Sequence, residues 1–224
     1  MLFRSGGVHN LFIHENHVYA VNNGRRYDVI NIEDPRDPRR VGRFELETPG
    51  HGVHDVWIVD GIAYSSEWQT GVVVVDVGNG RWGGSIENPV FVTAVPYPVG
   101  ATHAAFPYAQ ASTGKFYLFL GDEIGGGRGA AWAGEGADNQ PYDPVTGQGG
   151  VQGRMSGYLH IIDFTDPENP FEIAFFDRGP LSIESLFTGG YWSVYWFNGR
   201  LYGAEIDRKS TRLNSSHVRT SRMP

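Results

Sequence analysis

Cysteine is absent from the 224 residues, which excludes disulfides, thiolate metal sites and cysteine nucleophiles and fits either redox compartment. Long apolar runs are also missing, and none reaches the ~18 residues of a membrane-spanning helix. Cations are scarce as well. Of the 18 Lys and Arg, five lie in residues 208–224, leaving 13 against 25 Asp and Glu, a formal charge of −12 over the body. Nucleic acid is thereby excluded as a partner, since that binding rests on neutralising phosphates with Lys and Arg. No segment carries a helical period of apolar residues. Gly-x-Ser-x-Gly does not occur, nor does the Gly-rich loop with Lys-Ser/Thr that cradles phosphate.

What the chain does have is a repeat. His9–Asn22, His54–Glu67 and Trp192–Glu205 align without gaps, and a fourth copy starts at His103. Each copy shows a polar or aromatic start, an apolar strand, a turn at Asn16, Gly61 or Gly199, a Tyr ten residues in, and an amide or carboxylate three residues later. The spacing is 45 residues from His9 to His54 and 49 from His54 to His103, the period of one four-stranded propeller blade. The first unit predicts strands over Val8–Ile13, Val18–Asn22, Tyr27–Ile32 and Arg39–Glu45, each bounded by Gly, Asn, Asp or Pro. Its third strand recurs at Gly71–Val77 and Gly157–Phe164, rich in the β-branched and aromatic residues that suit a packed pleated surface. A Pro-rich turn follows, Glu33–Pro38 and Thr165–Pro170, reduced to Asn88–Pro89 in the second unit. There Asp bonds the backbone ahead of it and Pro presets φ.

The predicted fold is therefore all-β, a β-propeller of four-stranded antiparallel blades. About three and a half blades are expected: 8–46, 53–96, 102–177 with a Gly-rich insertion at 125–153, and 191–206 in part. Such an incomplete ring exposes blade edges and invites self-association. With 40% hydrophobic and 13% aromatic residues, the ~200-residue body can bury a core as one domain over 1–207. Residues 208–224 hold five cations, no acid and no aromatic, and resemble translated sequencing-adapter sequence; they are expected to be non-native or disordered. Met1 is followed by no signal-peptide pattern, and the alternative for the basic tail is an acidic partner.

The aromatic or His start, the Tyr of the second strand, Val72–Val77 or Ile161–Phe164, and the following Asp-Pro-x-x-Pro together resemble the LVIVD-repeat proteins. The resemblance runs from about Gly6 to Ile206 and is most specific at Thr102–Glu123 and Trp192–Ile206. It implies a bacterial or archaeal β-propeller, often secreted, periplasmic or surface-attached, and a binding or scaffold role with an unknown protein or small-molecule ligand. It assigns no catalysis.

In an antiparallel hairpin the start of the first strand meets the end of the second. His9 is expected beside Asn22, His54 beside Glu67, His103 beside Glu123 or Asp122, and Trp192 beside Glu205. If the first strand is innermost, His9, His54, Glu67, His103, Asp122, Glu123, Trp192 and Glu205 ring one channel mouth as the ligand-binding candidates. Imidazole and carboxylate together can hold a divalent metal ion, for which His9, His54, His103, Glu67 and Glu123 are the candidate ligands. They can also transfer protons, as a metal-dependent enzyme would require. The third reading is structural, because a device repeated in every blade serves the blade. His51 with His54 forms a weak chelating pair. His160, inside a third strand, reads as a packed, hydrogen-bonded histidine.

Overall fold

The computed structural model describes residues 7–47, 52–68, 70–95, 102–122, 159–176 and 191–205. Among them there is no helix, and the strands form four antiparallel sheets, none closed. The chain divides into two compact units, residues 1–96 and 97–224.

In the first unit, sheet one runs β1 (Val8–His14), β2 (His17–Asn22), β3 (Arg26–Asn31) and β4 (Arg39–Phe44), and sheet two runs β5 (Asp55–Val59), β6 (Ile62–Glu67), β7 (Gly71–Asp76) and β8 (Val90–Val95). Each is a meander in sequence order. Tyr19, Val21, Tyr27 and Val29 of sheet one and Val56, Ile58, Ala63, Val73 and Val75 of sheet two form one buried cluster. These residues alternate along their strands, so one face of each sheet is committed to the other. In the second unit, sheet three contains β9 (Thr102–Gln110), β10 (Lys115–Asp122), β11 (Leu159–Asp163) and β12 (Phe171–Phe176), and sheet four pairs β13 (Tyr191–Phe197) with β14 (Arg200–Glu205). Tyr117, Phe119, Leu159 and Ile161 pack there against Val194, Trp196 and Leu201.

Local chemistry repeats from sheet to sheet. The residue ending each third strand turns its side chain onto the backbone N–H two residues on: Glu33 to Asn31 at 2.9 Å, Gly78 to Asp76 at 3.1 Å, Thr165 to Asp163 at 3.0 Å. Asp34 and Asp166 accept the N–H of Arg36 and Glu168 in the same way, at 2.9 and 3.0 Å, which is how the Asp-Pro turns close. Hairpin turns at Asp60-Gly61 and Asn198-Gly199 have φ of 50° and 71°, and 48° and 74°, the left-handed geometry that lets strand twist continue through two residues. One repeated device is invisible in the residue pattern. Each fourth strand carries a β-bulge, at Val41, Val92 and Ile173, where two residues oppose one on the third strand.

Candidate functional site

The starts of the first strands come together inside each unit. β1 is bulged between Val8 and Leu11, with Val8 opposite Asn22, and this carries His9 out of the regular ladder. His54 immediately precedes β5, its N–H donating to the Ser66 carbonyl at 2.8 Å. Since Asp55 also faces Ser66, His54 stands on a bulge as His9 does, and Glu67 follows Ser66 at the end of β6. His54 and Glu67 are both buried, Glu67 completely.

His9 does not use Asn22. The Asn22 amide donates to Asp28 Oδ2 at 2.6 Å, while His9 Nε2 stands 2.9 Å from His54 Nε2 with the two rings steeply inclined, 4.3 Å between centres. Two further pairs follow at the same 45-residue offset: Asn10 Nδ2 donates to Asp55 Oδ1 at 2.7 Å, and the Phe12 and Trp57 rings lie 4.9 Å apart. Equivalent residues of successive first strands thus touch one another.

Trp68 closes the end of sheet two. Its ring meets His54 edge-on at 4.5 Å, and its backbone sits at φ 33°, spanned by a 2.6 Å bond from Thr70 N–H to the Glu67 carbonyl. A bulky residue with positive φ is a conformation that its surroundings must enforce. Together with His9 and His54, Trp68 lines a cleft of about 390 Å³ whose remaining wall is Gly7, Val8, Asn23, Gly24 and Val53. An indole and two imidazoles beside exposed backbone make a small site with apolar faces and a few directed polar groups.

Electrostatics beneath the cleft are set by burial. Asp55 is pushed up to about 6 by desolvation, with the Val56 N–H bond opposing. Tyr27 is raised well above the usual phenol range by complete burial, with the nearby Glu67 carboxylate adding to the effect and Ser65 opposing it.

In the second unit Thr102 pairs with Asp122, and a bulge falls at His103; Tyr191 pairs with Glu205, and a bulge falls at Trp192. The His103 and Trp192 rings lie 4.9 Å apart, inclined by 43°. Asp122 is buried. Sheet three also holds His160, whose Nδ1 lies 3.0 Å from Glu172 Oε1 in a deeply buried pair.

Of the candidates, two pairs are in contact, His9 with His54 and His103 with Trp192. Glu123, His51, the insertion at 125–153 and the tail at 208–224 lie outside the described residues, and Glu205 is placed by its backbone alone. Among the described residues no group of three or more His, Asp and Glu is placed to hold a metal ion. Sequence reasoning missed Trp68 and Asp55. A Trp following the repeat's carboxylate, and an acid following its His, were the available signals. Comparison with protein-family models and with curated proteins returns no match.

Proposed function

We propose that the chain is a β-propeller repeat module of the LVIVD type, each four-stranded sheet being one blade, and that it acts outside the cytoplasm as a binding or scaffold module. Small ligands or a partner's side chain enter the cleft between His9, His54 and Trp68. The cleft itself carries this reading: about 390 Å³ bounded by three aromatic rings at the one end where the repeat places its polar starts. The four sheets, their meander order and the repeated Asx turns support the propeller. A metal-dependent enzyme asks for about three protein ligands at one ion, and the described residues bring together two imidazoles.

The test is a fragment screen by saturation-transfer NMR on the full chain, repeated with Trp68→Ala. Fragments that bind the native chain and lose their signal in the variant support the cleft. A screen whose hits are indifferent to Trp68→Ala refutes it.

A further inference from the structure

The distance and tilt of the two imidazoles are informative beyond their contact. A straight N–H···N hydrogen bond with the same nitrogen separation would hold the ring centres about 5 Å apart. They are 4.3 Å apart, with Nε2 to Nε2 at 2.9 Å and the planes inclined by 71°, so the ring axes are bent well away from the line joining the nitrogens. Two imidazole nitrogens bound ~2.0–2.1 Å from one ion lie ~2.9 Å apart at a right angle and ~3.4 Å apart at a tetrahedral angle. The observed separation is that of neighbouring ligands in a square or octahedral sphere.

From this geometry we infer that His9 and His54 together form a docking site for a divalent transition cation of the copper(II) or nickel(II) type, at the mouth of the cleft. The inference rests on the reading of that cleft as a binding face. Borderline cations favour imidazole nitrogen, and copper(II) binds most tightly of the divalent series at such sites. Each imidazole binds through neutral Nε2, which places the ring proton on Nδ1. His54 is buried and held by its backbone bond to Ser66, whereas His9 is exposed on a bulge, so one ligand is fixed and the other swings to meet the ion. Two protein ligands leave the remaining positions to water or to a ligand in the cleft. Such a site captures a metal-bound small molecule or bridges the chain to a donor atom on a partner. The second unit lacks the equivalent, because Trp192 offers an indole N–H and no lone pair where a second imidazole would stand.

The experiment is titration of the full chain with copper(II) and, separately, nickel(II), read by equilibrium dialysis and by copper EPR. One site is expected with nitrogen couplings from two imidazoles, weakened about tenfold or more in His9→Ala and in His54→Ala and unchanged in His103→Ala. His9 is exposed, so His9→Ala tests the site even where His54→Ala fails to fold. Copper binding that is the same in His9→Ala, or no binding at all, overturns the inference. Fragment binding that survives with no metal uptake overturns the metal site alone. Loss of both refutes the cleft as well.

Discussion

Sheets one and two meet through His9–His54, Asn10–Asp55 and Phe12–Trp57, while sheets three and four meet through His103–Trp192 and the stacked Tyr108, Phe119 and Trp196. The scaffold is the same in both: a bulged first-strand start with a ring on each side. The chemistry differs. One unit sets two imidazoles side by side with a desolvated carboxylate next in sequence, and the other sets a single imidazole against an indole. The repeated backbone explains why rings meet, and the substituents decide whether the meeting has a function.

That comparison is sharpest at the hairpin glycines. Gly61 has φ 71° and a Cβ there would lie 2.4 Å from the Asn79 backbone nitrogen, because the turn is docked under the 77–79 loop by bonds from Val77 and Asn79 to its carbonyl. Gly199 has φ 74° and open space around it. Gly61→Ala is expected to cost at least ~3 kcal/mol, the left-handed penalty plus displacement of backbone, whereas Gly199→Ala costs only ~1 kcal/mol. Equal losses in chemical denaturation would break the distinction between a docked and a free turn.

Next in size is the acid at the end of each third strand. Asp76 accepts backbone N–H from Gly78 and Gly80 on Oδ1 and from Trp82 and Gly84 on Oδ2, all between 2.9 and 3.2 Å. Burial alone would raise its pKa, but the four donors outweigh burial and hold it below the usual value. Asp163 has one backbone donor, Thr165, and a half-exposed Lys115. In Asp76→Asn an amide NH₂ would face Trp82 and Gly84, leaving donors opposed, at ~2–3 kcal/mol; Asp163→Asn weakens one backbone bond and a pair whose Lys115 end is half-exposed, at ~1 kcal/mol. Since the folded pKa of Asp76 is depressed, its contribution is present above the unfolded pKa and lost as pH falls below it. Denaturation midpoints that fall less in acid for Asp76→Asn than for the native chain would bear this out.

The paired rings come third. His54→Ala removes a buried group and its contacts with His9 and Trp68, an expected loss of ~1–3 kcal/mol. His103→Ala gives up the ring contact with Trp192, worth ~0.5–1.5 kcal/mol. A larger loss for His103→Ala by thermal or urea unfolding would reverse the assignment of the first unit as the more specific pairing.

Smallest, and opposite in sign, is Asp55→Asn. The Asp55 pKa of about 6 lies above the ordinary 3.8, so its stability contribution is complete below about pH 4 and is lost as pH rises through 6. Asparagine keeps the acceptor for Asn10 and Val56 and removes the buried charge. The variant should gain ~1–2 kcal/mol over the native chain at pH 7, after discounting for partial exposure, and nothing at pH 4. The second unit has Ala104 and Ser193 at the corresponding positions and offers no such titration. A pH-independent difference would show that Asp55 is not desolvated.

Much of the first sheet was legible: the predicted strands at Val8, Val18, Tyr27 and Arg39 begin within one residue of those observed. Alternating β-branched residues and Asp-Pro turns act locally, and local signals survive in a single sequence. The fourth-strand bulges did not show, since Val41, Val92 and Ile173 look like any strand residue and their extra place exists only against a partner. Asn22 was misjudged for a similar reason. It was expected beside His9, but the β1 bulge sets it opposite Val8, and Asp28 of the neighbouring strand takes its amide with a charge-assisted bond.

The residues themselves determined the unit, its turns and which positions in one copy correspond to those in the next, because these follow from short-range backbone chemistry repeated along the chain. Only the packing of sheet on sheet decided that His9 meets His54 rather than its hairpin partner, and that Asp55 is desolvated. Those outcomes depend on how two surfaces distant in sequence share space, and no periodicity within one strand records that.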